Sequence, residues 1–176
     1  KKIITAGTVN SLVEGTYVIT YSVTDVNGNT SEVTRTVNVV DTIAPTINLS
    51  SNDIFTNNNY VQSATINLNV NDLYNSLNYV KYAWTTTDTT PSSYNDYTYI
   101  ENTDVNFTFT DNGTYYLHIT ASDASGNISN NKIGPFKIDN VDPIITIEPN
   151  GSIGYSISTN ISANDSFSGI DKIYYA

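Results

Sequence analysis

The feature that most restricts this chain is a stretch it contains twice, Gly15 to Asn29 (GTYVITYSVTDVNGN) and Gly113 to Asn127 (GTYYLHITASDASGN). Gly15/Gly113, Thr16/Thr114, Tyr17/Tyr115, Asp25/Asp123, Gly28/Gly126 and Asn29/Asn127 are identical pairs, each 98 residues apart. Apolar residues alternate in both copies, through Tyr17, Ile19, Tyr21 and Val23 and through Tyr115, Leu117, Ile119 and Ala121. Each copy therefore reads as a half-buried strand that ends in a Gly/Asn turn. The spacing recurs at Pro45 and Pro143, in the segments Asp41-Thr42-Ile43-Ala44-Pro45 and Asp139-Asn140-Val141-Asp142-Pro143. A proline there stops ladder pairing and keeps the chain extended, as at a domain junction. Two such junctions enclose one complete domain, residues 43–140. Residues 1–42 then read as the C-terminal part of a preceding domain and 141–176 as the N-terminal part of a following one.

The central segment offers seven strand candidates: Thr46–Leu49, Thr65–Val70, Tyr79–Thr85, a weaker one near Tyr97–Ile100, Val105–Phe109, Thr114–Ser122 and a last strand through Phe136 and Ile138. Ser51–Asn59 and Thr85–Asn95 read as loops. Residues 1–42 offer a short strand near Ile3-Ile4, a long one over Gly15–Thr24 and a last one over Val33–Val40. No window sustains a 3.6-residue apolar period, and Thr, Val, Ile and 14 Tyr favour strands, so the chain is expected to be all-β. Seven short alternating strands in one domain suggest a two-sheet sandwich. Cysteine is absent, which leaves packing or metal to support the fold.

Seventeen acidic residues against seven basic ones give a formal charge of −10, which repels phosphate backbones and anionic membranes. Nucleic acid is not an expected partner, and no membrane-inserting run occurs in this segment. Catalysis has little support. The single histidine, His118, falls by parity on the outer face of its strand, where a solvated or cross-strand role is expected, and no G-x-S-x-G motif accompanies it. Lys81 and Lys137 have the wrong parity for a buried Lys–Asn cross-link. No catalytic or cofactor-binding residue is assigned.

Asp111-x-Gly113-x-Tyr115-x-Leu117 resembles the tyrosine corner of immunoglobulin-like domains, and Trp84 on the third strand matches the core Trp of that fold. Leu117 and Leu68 would stand where the antibody disulfide stands. Glu14-Gly15-x-Tyr17-x-Ile19 repeats the corner less fully. Ala163–Ala176 aligns with Val70–Ala83, so that 141–176 looks like the opening of another copy that stops inside its third strand. With the G-T-Y strand start, the D-x-x-G-N turn, the linker type of Asp41 to Pro45 and Asp165-x-x-Ser168-Gly169-Ile170, the chain resembles tandem bacterial Ig-like repeats of extracellular, cell-surface or secreted proteins, including adhesins. The resemblance implies immunoglobulin-like β-sandwich repeats with one complete domain flanked by two partial ones.

Such repeats serve as stalks or spacers whose partners are neighbouring repeats of the same longer chain, and this is the preferred reading. The alternatives are an adhesive module for a glycan or protein, using Tyr94, Tyr97, Tyr99 and Tyr116 as exposed aromatics, or an accessory module of a secreted hydrolase or phage structural protein. In an Ig-like sandwich the loops after the second and sixth strands meet where the chain comes in. Asp41, Asn71, Asp72, Asn75, Asp123 and Asn127 would then converge at the first junction, with oxygens suited to a hard cation such as Ca²⁺. Asp139, Asp142, Asn164 and Asp165 would repeat the arrangement at the second. Resemblance to calcium-stiffened adhesin repeats implies the same. The competing account is that Asp25 and Asp123 cap turns while Asp41 and Asp139 end strands.

Overall fold

The computed structural model describes residues 3–51, 59–74, 76–99, 103–149, 151, 154 and 158–174. Every regular element in them is a strand: β1 (Ile3–Ala6), β2 (Gly15–Thr24), β3 (Thr30–Val39), β4 (Thr46–Ser50), β5 (Ala64–Asn71), β6 (Leu77–Thr85), β7 (Asn95–Tyr97), β8 (Val105–Phe109), β9 (Gly113–Asp123), β10 (Ile128–Ile138), β11 (Ile144–Glu148) and β12 (Asn160–Asn164). All strand pairs are antiparallel and form four sheets, ordered β1-β2-β3, β4-β5-β8, β10-β9-β6-β7 and β11-β12.

The two middle sheets face each other as an immunoglobulin-like sandwich. Ile66, Leu68 and Val70 alternate along β5, and Leu117, Ile119 and Ala121 along β9, so each sheet turns one apolar row inward. Leu68 and Leu117 are fully buried, as the resemblance implied. Trp84 pairs in register with Leu117 and stacks on Phe109, ring centroids 4.2 Å apart, while Phe107 packs against the same core.

Both tyrosine corners form. Tyr115 Oη donates to Asn112 O at 3.1 Å, and Tyr17 Oη donates to Val13 O at 2.8 Å. The glycine two residues before Tyr115 is needed because the ring folds back over it. Gly113 has φ +135°, and a Cβ there would lie 3.1 Å from the Tyr115 ring. In β10 the register breaks between Ile133 and Phe136, where Gly134 approaches the Tyr115 carbonyl so closely that a Cβ would sit 2.9 Å from it.

Several expectations are corrected. The weak strand is Asn95–Tyr97 rather than Tyr97 onward, and Ile100 lies outside the described residues, as do 52–58 of the Asn-rich loop. The last strand of the sandwich does run through Phe136 and Ile138, and it starts as early as Ile128. The expected third strand after β12 does not form within 165–174, and Tyr175 and Ala176 lie outside the described residues.

Of the two roles expected for His118 the cross-strand one holds: its Nε2 lies 3.0 Å from Thr85 Oγ1 of β6. His118 is 5% exposed, and its outer-face neighbours Thr120 and Ser122 are buried with it. The reason is its place in the sheet. β9 is flanked on both sides, so these shorter side chains stand in register with Tyr79, Lys81 and Lys132 of the adjoining strands.

None of the four tyrosines expected as exposed aromatics is fully exposed: Tyr94, Tyr97, Tyr99 and Tyr116 are all half-buried. Tyr97 packs on Phe107 at 4.8 Å and on Tyr82 at 6.0 Å. Tyr99 Oη accepts from Val70 N at 2.6 Å and donates to Thr103 O at 2.7 Å. The short β7 pairs with β6 and turns these rings inward, where they complete one end of the core.

Candidate metal site at the first junction

Asp123 ends β9 and opens the turn to β10. Its main chain pairs with Asn127 (Asp123 N to Asn127 O, 3.1 Å), Gly126 N donates to Asp123 O at 3.3 Å, and its carboxylate accepts Asn127 N and Asn127 Nδ2, both at 2.8 Å. The turn-capping account is therefore correct for this residue. Asp123 is nonetheless fully buried. Burial pushes its pKa up, but the hydrogen bonds from the Asn127 side chain and backbone and from the Gly126 and Ser125 amides outweigh that, and the carboxyl is held below its usual range. It is a buried carboxylate that stays ionised.

Two other acids are brought to it by elements far away in sequence. Asp72 follows the last residue of β5, and its Oδ1 accepts Tyr74 N at 2.9 Å. Asp41 lies in the linker after β3, and its Oδ1 accepts Ile43 N at 2.9 Å. Ligand oxygens of Asp41, Asp72 and Asp123 lie within 4.8 Å of one another. Asp41 Oδ2 is buried and accepts no hydrogen bond.

Three carboxylates this close repel one another, and an ionised oxygen withdrawn from water without a donor is costly. A hard cation removes both penalties, and a set of carboxylate oxygens fits Ca²⁺, although Asn127 turns its Nδ2, not the expected amide oxygen, toward Asp123 and Asp41. Asn127 already serves the junction through Nδ2, which also donates to Asp41 O at 3.2 Å. Asn71 is half-buried beside Asp72 at the end of β5, and Asn75 lies outside the described residues.

The second junction assembles less. Asp139 Oδ1 accepts Val141 N at 3.0 Å and Oδ2 accepts Ser168 N at 2.9 Å, while Asp165 Oδ1 accepts Phe167 N, Ser168 Oγ and Gly169 N. Hydrogen bonding from the Ser168 side chain, then from Val141 N, holds Asp139 below the usual carboxylate range, and the Asp165 carboxyl contributes in the same direction. Asp142 and Asn164 are exposed. Among the described residues the first junction holds the only group of three acids within ligand distance.

Glu14, whose only part in the sequence reading was as a member of the first corner motif, does more at this site. Its Oε1 accepts Asp41 N at 2.6 Å and Ser125 Oγ at 2.7 Å, so one carboxylate bridges the linker and the β9–β10 turn. The second copy gives the signal that could have found it. Asn112, the residue just before Gly113, likewise accepts a linker amide, Asn140 N, at 2.7 Å through Oδ1. A polar side chain in front of the strand's glycine clasps the outgoing linker at both junctions.

Residues 1–39 match a family model described as Bacterial surface protein, Ig-like domain. No curated protein and no solved structure matches the chain. Among the described residues no helix is long and apolar enough to cross a membrane.

Proposed function

We propose that this chain, an Ig-like segment of bacterial surface type at residues 1–39 joined to a complete Ig-like sandwich, is a non-enzymatic spacer of an extracellular bacterial protein, stiffened by Ca²⁺ at its first junction. The observation that carries the reading is that a linker carboxylate, Asp41, meets Asp72 and Asp123 of the sandwich that follows. A cation held by all three would tie the linker to two loops of the next unit. Glu14 and Asn127 already restrain the same linker from the two sides. In this role Asp41 supplies the oxygen left without a donor, Asp72 closes the site from the β5–β6 loop, and Asp123 is oriented by Asn127.

Calorimetric titration of residues 1–176 with CaCl₂ tests the metal. Binding is expected in the range of extracellular modules, Kd about 10⁻⁴–10⁻³ M. Asp72→Asn should weaken it by about tenfold or more, and Asp25→Asn, at the equivalent turn of the first copy, should leave it unchanged. Absence of binding at millimolar Ca²⁺, or binding indifferent to Asp72→Asn, would remove the cation from the account. Stiffening is read separately, from residual dipolar couplings of the two units. Couplings that fit one common alignment with Ca²⁺ and two without it are expected, and two independent alignments in both states would sink the spacer-stiffening role.

A further inference from the structure

A second polar site lies away from the junction, on the outer face of the four-stranded sheet. The loop of residues 86–94 between β6 and β7 brings Asp88, Thr90 and Tyr94 against His118 of β9 and against Asn130 and Lys132 of β10, around a cleft of about 520 Å³. That volume falls within the roughly 300–1,000 Å³ of small-molecule sites. The spacer role uses none of these residues.

The hydrogen-bond inventory fixes what the cleft presents. Thr85 has one hydroxyl proton, and it is donated to Thr87 O at 2.7 Å. The 3.0 Å contact between Thr85 Oγ1 and His118 Nε2 must then run from Nε2–H to the hydroxyl oxygen. Burial, and next the Lys132 charge, hold the imidazole below its usual pKa against a smaller opposing effect of Asp88, so the ring is neutral at pH 7. A neutral ring protonated at Nε2 has an acceptor at Nδ1. No donor among the described residues serves Nδ1, and that atom reaches solvent although the residue as a whole is 5% exposed.

Asp88 and Lys132 form an ion pair, which cancels their charges. The cleft wall therefore offers acceptors (His118 Nδ1, the Asp88 carboxylate), donors (the remaining Lys132 protons) and groups that do both (the Thr90 and Tyr94 hydroxyls, the Asn130 amide), without net charge and beside one aromatic ring. An anion would have to displace Asp88 from Lys132 on a chain of charge −10, and a cation would meet Lys132. An apolar ligand would leave the donors unpaired. A neutral polyol that offers hydroxyls as both donors and acceptors, with a C–H face for the ring, matches each part.

We propose that this cleft binds a neutral hexose-type saccharide, with Tyr94 as the stacking platform and His118 Nδ1 and Asp88 accepting from its hydroxyls. The site would give the spacer an adhesive face and does not depend on the junction cation.

The test is an array of galactose-, glucose- and N-acetylglucosamine-terminated glycans, with sialylated and sulfated ones alongside, probed with residues 1–176. Binding to neutral glycans is expected. It should fall about tenfold or more in Tyr94→Ala and in Asp88→Ala, and stay unchanged in EDTA and in Asp25→Asn. Asp88 is exposed and Tyr94 half-buried, and an unchanged Trp84 unfolding transition checks that each variant is folded. No neutral glycan above background, binding confined to anionic glycans, or binding that survives either cleft substitution would overturn the proposal.

Discussion

Asp25 and Asp123 occupy the same position in the two copies of the repeated stretch, and their turns share one set of hydrogen bonds. The carboxylate of Asp25 accepts Asn29 N at 2.9 Å and Asn29 Nδ2 at 2.8 Å; that of Asp123 accepts Asn127 N and Nδ2, both at 2.8 Å. Gly28 N and Gly126 N each return to the aspartate carbonyl. In both, hydrogen bonding to the following Asn lowers the carboxyl pKa, led at Asp25 by the Asn29 side chain and working at Asp123 against burial. Yet Asp25 is exposed and Asp123 has no exposed surface. The turn is a local object that five residues write by themselves. Whether it becomes part of a site depends on what is packed around it, here Asp41, Asp72 and the β5–β6 loop, whose Ser76 carbonyl accepts Ala124 N at 3.0 Å.

The strands that lead into these turns differ in the same way. Along β2 only Ile19 is buried, whereas β9 is buried from Leu117 through Asp123. The largest expected effect comes from truncating the matched pair Leu117 and Ile19. Trp84 is the single tryptophan and reports on the sandwich alone. Leu117→Ala should lower the stability of the Trp84 transition in urea by about 3–5 kcal/mol. Ile19→Ala should leave that transition within about 0.5 kcal/mol of the parent. Equal shifts would show that the first unit and the sandwich unfold as one body, which breaks the comparison.

A smaller difference is expected at the tyrosine corners. Removing the Tyr115 hydroxyl, whose bond to Asn112 O is partly buried, should cost the sandwich about 1 kcal/mol. Tyr17→Phe breaks an exposed bond, and its effect should be confined to faster hydrogen exchange in the first unit. A Trp84 transition displaced equally by the two substitutions would place the first corner in the energetics of the sandwich.

The smallest effect concerns protonation. His118 corresponds to Thr20 of the first copy, which does not titrate. Because burial depresses the folded-state pKa of His118 below its unfolded value near 6.5, the unfolded chain takes up the proton first as pH falls. The contribution is complete above about pH 6.5 and is lost as pH drops through the window down to the folded value. His118→Thr should flatten the stability profile of the sandwich just below pH 6.5. A slope that persists in the variant would mean that a different group carries it.

Much of the fold was legible because it is written at short range. Strand period, the Gly-x-Tyr corner and the Asp-x-x-x-Asn turn each depend on residues within about five positions, and β2, β5, β8 and β9 lie where alternation put them. The acidic triad was legible as well, but only through an assumed sandwich topology that sends the β5–β6 and β9–β10 turns to one pole. Residues whose role rests on unrelated neighbours were misread or underread. Parity put His118 outside without foreseeing the strands on either side of β9. The adhesive alternative took Tyr97 and Tyr99 as surface rings without foreseeing that Tyr97 packs on Phe107 and that Tyr99 Oη accepts from Val70 N.

What the sequence determined by itself, then, is the set of local units: alternating strands, Asx-capped turns and proline-marked junctions, each enforced by covalent geometry and nearest hydrogen-bond partners. Only the tertiary structure decided which copy of a unit is buried and what it meets. Glu14 and Ser125 touch across 111 positions of chain, and Asn127 and Asp41 across 86. Burial and charge clustering are properties of the space around a side chain, and that space is filled by residues with no local relation to it. This is why two copies of one turn differ in kind, one a solvated cap and the other the floor of an acidic site.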